Sequence, residues 1–244
     1  MKIYDPAALA QLPKLVIFDL DNTLYAYDPA HAAGMSALVA KAQDRLGPSG
    51  ERFLEAFTEA RDTLKKDLGP CAAAHDRLLY MHRTLEVLGL KSQPLLALDF
   101  EQTYWRAFLN ASTLRPGARS LLETFRSLGI DRVLVTDLTT RIQFRKLVYH
   151  GLEDCFEYIV TSEEAGADKP SELVWSQLSR KLGTIEPPIW SIGDDVNKDL
   201  AGPRAYFGAV GIHVTEQGGL QGCEATCSSF EGLVRHLRTL SANG

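Results

Sequence analysis

Four apolar residues, Leu15-Val16-Ile17-Phe18, run straight into Asp19-Leu20-Asp21. A short apolar run of this kind fits a strand buried on both faces of a parallel sheet. The two-residue period of a strand would then put both carboxylates on one side. At about 4 Å and an effective dielectric near 20, two such charges repel by about 4 kcal/mol. A cation must stand close by, or one acid must keep its proton. Whatever this chain folds into, it has to bring positive charge to the carboxyl end of that strand.

The remaining pattern says where such charge would come from. Between about residues 30 and 110 the apolar spacing is helical: Met35, Leu38, Val39, Ala42 and Leu46 keep a 3.6 period, as do Phe53, Phe57, Leu64 and Leu68, then Leu78, Met81, Leu85 and Leu88. A fourth stripe passes through Leu96, Phe100, Tyr104 and Phe108, and Gly47-Pro48, Gly69-Pro70 and Gln93-Pro94 separate the segments. After Arg115-Pro116-Gly117, helix-like stretches alternate with short apolar runs at 132–136, 158–161, 189–193 and 209–212. Strands separated by helices of that length imply a parallel sheet covered on both faces. The expected fold is therefore α/β, a Rossmann-like parallel-sheet core made of residues 1–26 and 113–244, interrupted by an α-helical unit at 27–112. Pro170 is expected at a first helical position, and Ser228-Ser229-Phe230-Glu231 as a capping box.

Composition excludes several classes. With 26 Lys plus Arg against 31 Asp plus Glu, the net charge is -5, and no basic block suits nucleic acid. No apolar run approaches the roughly 18 residues of a membrane span, and the first residues lack the apolar core of a signal peptide, so a soluble, cytoplasmic protein is expected. The four cysteines, at 71, 155, 223 and 227, are too scattered for a disulfide scaffold. The spacing of Cys223 and Cys227, with no second pair, reads as small residues in a loop rather than a zinc site. The histidines form no metal-binding spacing, and nothing in the sequence speaks to oligomeric state.

Ligands of an open parallel sheet bind beyond the carboxyl ends of its strands. Those ends carry Asp19 and Asp21, then Thr136-Asp137, then Gly193-Asp194-Asp195 with Asp199 following, and Asp168-Lys169-Pro170 comes shortly after the run at 158–161. Several acids meeting at one edge need a hard divalent cation with oxygen ligands, for which Mg²⁺ is the natural choice. Lys169 adds a compact charge suited to phosphate oxygens.

In this order and spacing, DLDNTL, VTD, DKP and GDDVNKD resemble the four motifs of the haloacid-dehalogenase-like superfamily, in its phosphatase branch. The resemblance covers the core from about 14 to 215, and the helical unit corresponds by position to the family's cap domain. It implies Asp19 as nucleophile, forming an aspartyl-phosphate, and Asp21 as acid and base with an acidity near working pH. It implies a metal held by Asp19, the backbone carbonyl of Asp21, and Asp194. Thr136 and Lys169 would grip the phosphoryl oxygens, with Asp199 orienting Lys169 and Asp195 behind the metal site. The implied activity is Mg²⁺-dependent hydrolysis of a small phosphorylated metabolite, such as a sugar phosphate or nucleotide, under a cap that excludes water.

One position departs from the pattern. Many members carry Asn after the strand-end hydroxyl, whereas Asp137 follows Thr136 here. An acid would repel a phosphate dianion unless it points away, a cation such as Arg141 compensates, or the substrate contact differs.

Each motif alone has an ordinary explanation, as a strand end, a turn or a loop-to-helix junction, and the weight lies in their coincidence at successive strand ends. The aromatic stripe Phe100, Tyr104, Trp105 and Phe108 reads as helical core, and Tyr27, His31, Arg45, Arg61 and Arg106 as solvated positions that could also select substrate. A haloacid dehalogenase would need neither metal nor Asp21, a phosphomutase would keep the same residues, and a non-catalytic phospho-ligand binding protein would have no need of intact acids and lysine.

Overall fold

The computed structural model describes residues 1–184, 186–216 and 222–243. The chain separates into two compact units, Met1–Ala26 with Thr113–Gly244, and Tyr27–Ser112. The second unit is helical. It comprises α1 (Tyr27–Leu46), α2 (Phe53–Leu68), α3 (Arg77–Val87) and α4 (Pro94–Ala111). Asp76 starts α3 by accepting hydrogen bonds from the backbone of Leu78 and Leu79 at 2.7 and 3.1 Å, a side-chain N-cap. Pro94 opens α4, where its missing N–H costs no helical bond. α1 packs on α4, and α3 on both α2 and α4. The close approach of α1 depends on Gly34, because a Cβ there would lie 2.8 Å from the Tyr104 ring. Phe53, Phe57, Tyr80, Phe100, Trp105 and Phe108 fill the interior, so the aromatic stripe of α4 is core.

The first unit is built on a sheet. Among the described residues its strands are β1 (Lys2–Ile3), β2 (Leu15–Phe18), β3 (Asp131–Thr136), β4 (Tyr158–Thr161), β5 (Ile189–Gly193), β6 (Val210–Val214) and β7 (Ala225–Cys227). They lie in the order β1-β7-β6-β5-β2-β3-β4. Every pairing is parallel except β1 with β7. The helices of this unit are α5 (Ala118–Ser127), α6 (Thr140–His150), α7 (Ser162–Ala165), α8 (Glu172–Leu182), α9 (Gly202–Phe207) and α10 (Glu231–Asn243). One core cluster joins Ile17, Val133, Val135, Val160 and Ile189 to Val174, Trp175 and Leu178 of α8. Phe18, Phe125, Phe156 and Trp190 form a second set of edge-to-face contacts.

β2 is central and pairs with β3 through Phe18 and Leu134, and with β5 through Phe18 and Ile192. From β2 the chain moves outward through β3 to β4, then crosses to β5 and proceeds the other way. The carboxyl end of β2 is thus the point where strand order reverses, which is where sheets of this kind place their ligand crevice.

The α/β Rossmann-like expectation holds, with differences at the margins. β1 and β7, too short to leave an apolar period, add an antiparallel edge to the expected parallel sheet. Cys227 is accordingly a buried strand residue and not part of a loop. Pro170 lies outside α8, joined to Lys169 by a cis peptide, and Ser171 is the N-cap instead. α10 begins at Glu231, later than a capping box on Ser228 would start it.

Candidate active site

Three strand ends and one loop converge at the crevice. β2 delivers Asp19, β3 ends in Thr136, β5 delivers Asp194, and Lys169 enters from the segment before α8. The Lys169 ammonium, itself buried, donates to Asp19 Oδ1 at 2.7 Å, to Asp199 Oδ1 at 2.7 Å and to the Val135 carbonyl at 2.9 Å. Its three protons are therefore all used. Burial works against this charge, but Asp19, Asp199 and Asp137 outweigh it and hold Lys169 protonated well above the ordinary lysine range.

Asp19 shows the opposite balance. Burial pushes its carboxyl up, Lys169 pulls it down, and Asp199 and Asp194 push it up again, leaving it well above the usual carboxylate range. Asp194 is raised too, first by burial and then by Asp199, against a hydrogen bond from Asn22 and the charge of Lys169. Thr23 and Asn22 tie the two acids together. Thr23 Oγ1 lies 2.8 Å from Asp19 Oδ2 and 3.3 Å from Asp194 Oδ1, and Asn22 Nδ2 donates to Asp194 Oδ2 at 2.8 Å. Asn22 has φ 62°, a left-handed conformation that Asn tolerates better than most residues, and this turns its amide toward Asp194.

Carboxylate oxygens of Asp19, Asp194 and Asp199 lie within 4.8 Å of one another. An all-oxygen, like-charged donor set of this size suits a hard divalent cation, which would reverse the upward push on Asp19 and Asp194. The residues present fit such an ion.

Asp21 is directed elsewhere. Its carboxylate accepts two bonds from Lys146 Nζ, at 2.6 and 2.8 Å, one from Gln143 Nε2 at 3.1 Å, and one from the Tyr25 hydroxyl. Burial would raise this acid, yet the charge and hydrogen bonds of Lys146, with Tyr25 and Gln143, leave it below its ordinary value. An acidity near working pH is therefore not what this arrangement holds. The strand ends at Phe18, so the two acids escape a shared face, and each has its own lysine.

Thr136 Oγ1 accepts from Gln143 Nε2 at 2.6 Å, and the same amide donates to the Asp137 carbonyl at 2.7 Å. The Asp137 carboxylate faces Lys198 Nζ at 3.0 Å and the Lys169 backbone N–H at 2.9 Å. Lys198 is a cation that balances this acid. Asp195 caps the π-helical turn Val196–Ala201 by accepting from the backbone of Asn197 and Lys198 at 2.9 and 3.1 Å, while its own N–H donates to Asp199 Oδ2 at 3.0 Å.

Sequence reading missed Lys146, Gln143, Tyr25 and Lys198 in this constellation, and gave Asn22 and Thr23 no part. One signal was present. Gln143, Lys146 and His150 recur at helical spacing on α6 and are interleaved with Ile142 and Leu147, so burying those two apolar residues carries the polar set inward with them.

The class of protein follows from comparison with known proteins. Residues 13–206 match the family model of the haloacid dehalogenase-like hydrolases, and the chain belongs to that family. It is therefore an enzyme, and its curated relatives put it with the family's phosphatases. One is the ribulose-1,5-bisphosphate 5-phosphatase of Halopiger xanaduensis, 38% identical over 78% of this chain and 80% of the relative. Another is the glyceraldehyde 3-phosphate phosphatase of Methanopyrus kandleri, 26% identical over 78% of each. The fold is shared with the 2-haloacid dehalogenase of Pseudomonas syringae pv. Tomato, with a TM-score of 0.73 at 20% identity, covering 93% of this chain and 99% of that one.

Proposed function

We propose that this enzyme is a Mg²⁺-dependent phosphomonoesterase that hydrolyses a small sugar phosphate through an aspartyl-phosphate on Asp19. The observation that carries the reading is the buried Lys169 ammonium, shared by Asp19 and Asp199 with Asp194 alongside, at the sheet's switch point. The substrate class rests on the names of two relatives, both phosphatases of phosphorylated sugars.

In the first step an Asp19 carboxylate oxygen attacks phosphorus, the bond from phosphorus to the sugar oxygen breaks, and that oxygen leaves with a proton from Asp21, which this step needs in the protonated form that Lys146 disfavours. In the second, water attacks the phosphorus of the aspartyl-phosphate, Asp21 takes the water proton, and the bond to Asp19 breaks, releasing inorganic phosphate. The ionised Asp21 is the form the second step needs. Thr136, and Lys169 on exchanging its bond to Asp19 for one to the phosphoryl group, would hold the phosphoryl oxygens, Asp199 and the Val135 carbonyl keep Lys169 aimed, and Asp195 shapes the turn that carries Asp199. Mg²⁺, held by Asp19, Asp194 and the Asp21 carbonyl, would supply the positive charge that offsets the phosphate and the acids. By chain position, the helical unit Tyr27–Ser112 would serve as the family's cap.

A cytoplasmic enzyme of small molecules, with no nucleic-acid or membrane partner, is part of this reading. It is supported by the net charge of -5, and by the finding that no helix among the described residues is long and apolar enough to cross a membrane. The test is phosphate release from a panel of sugar phosphates in the presence of Mg²⁺. Wild-type protein should turn over at least one of them, and Asp19→Asn should lose about 10³-fold or more in rate. Equal rates for the two proteins would remove Asp19 as nucleophile.

A further inference from the structure

α6 buries a mixed face, in which Ile142 and Leu147 lie beside three polar side chains while other apolar residues are left outside. Lys146 and Gln143 are fully buried and His150 nearly so, whereas Phe144 is 47% and Val148 62% exposed. A helix held only by packing would bury the second set, because sinking an ammonium and an amide among other side chains costs more than it returns unless both are bonded. Here they are. Lys146 places two of its protons on the Asp21 carboxylate, and Gln143 joins Asp21 to the Thr136 hydroxyl. Behind them Tyr25, which also donates to Asp21, stacks on His150 with ring centroids 5.4 Å apart. The buried polar face of α6 thus meets one acid from three sides.

We propose that Lys146 is a positioning residue. With Gln143 and Tyr25 it holds the Asp21 carboxylate in a fixed direction, as the base that draws a proton from water in hydrolysis of the aspartyl-phosphate. This inference rests on the phosphatase reading above and adds to it the residues that make the second half-reaction efficient. In that step the water oxygen bonds to phosphorus, its proton moves to an Asp21 oxygen, and the Asp19–phosphorus bond breaks. A swinging carboxylate would meet the water in the wrong orientation, and two bonds from one ammonium prevent the swing.

The geometry separates the two half-reactions, so kinetics can too. With 4-nitrophenyl phosphate and Mg²⁺, the leaving group departs without needing a proton, and kcat/KM reports only the first step. Lys146→Met should lower kcat by about 10–100-fold. KM should fall in parallel, kcat/KM should stay within about threefold, and rapid mixing should show a nitrophenolate burst approaching the enzyme concentration. Asp21→Asn should give the same pattern. General damage to the site would instead lower kcat/KM with no burst, and that result, or unchanged kcat, overturns the inference. If Lys146→Met does not fold by circular dichroism, Tyr25→Phe carries the test, with the same signature at a few-fold loss. Failure of the underlying reading looks different: wild-type protein would release no phosphate, or Asp19→Asn would match it.

Discussion

Asp19 and Asp21 stand two residues apart in the chain yet answer to different lysines, and their carboxyls are pushed in opposite directions. For Asp21, held below its ordinary value, the stabilising contribution is present above the unfolded value near pH 4 and is lost as pH falls through the folded one. For Asp19 and Asp194, both raised, the sign reverses. Each binds its proton more tightly in the folded protein, so each costs stability as pH rises from about 4 through its folded value. Removing one such charge should therefore stabilise the metal-stripped protein. Asp194→Asn should raise its Tm at pH 7 by about 2–4 °C, the shift expected of about 1 kcal/mol in a chain of this size. The gain should shrink as pH falls and wild-type Asp194 takes up its proton, and thermal unfolding in EDTA at a series of pH values is the measurement. Mg²⁺ should add several degrees to the wild-type Tm and little to the variant, because only a folded site assembles the ligands. At this scale the acids were legible because they follow an apolar strand. The second lysine was not, because Lys146 lies more than a hundred residues downstream on a helix whose polar face looks like a solvent face.

Among the elements, the central strands announced themselves through continuous apolar runs, since a strand buried on both faces has no polar alternation to lose. β1 and β7 escaped notice because two or three residues establish no period, and the last helix starts where chain geometry, not the Ser228 box, dictates. The end of β5 shows how closely one element sets another. A Cβ on Gly193 would fall 2.2 Å from the Asp199 Cβ and 2.5 Å from its Cγ. Gly193→Ala must therefore displace the acid that steadies Lys169. We expect a stability loss of about 1–3 kcal/mol, as for other overpacked sites. Phosphatase activity should fall by at least ten-fold beyond any loss of folded protein, read by pairing denaturant unfolding with the rate. A variant with wild-type activity would show that Asp199 does not position the lysine. The inward face of α6 combines two causes, since Ile142 and Leu147 pack there while Lys146 and Gln143 bond to Asp21 and Thr136.

For the molecule as a whole, the helical unit interrupts the sheet-bearing unit between two neighbouring points of the latter. Tyr25 and Leu114 form an antiparallel bridge, and Arg115 donates its backbone N–H to the Leu24 carbonyl at 2.8 Å. A short Gly-Ser linker in place of residues 27–112 can therefore join 26 to 113 without stretching either end, and loop closure that short is cheap. The shortened protein should fold cooperatively and keep the Mg²⁺-dependent rise in Tm, while losing most of its turnover of sugar phosphates. Loss of circular dichroism at room temperature would mean instead that the sheet-bearing unit needs the insertion to fold. The change of apolar period near residue 27 made this division readable from sequence, whereas the bridge beside it lies in two single residues and left no trace.

The antiparallel edge carries a last implication, for the order of assembly. Among the described strands of the sheet, Lys2–Ile3 come first along the chain, yet their partner Ala225–Cys227 comes last. During synthesis β1 must therefore wait, unpaired, until the other described strands of this sheet have been made, so closing that edge belongs to the final events of the sheet's assembly.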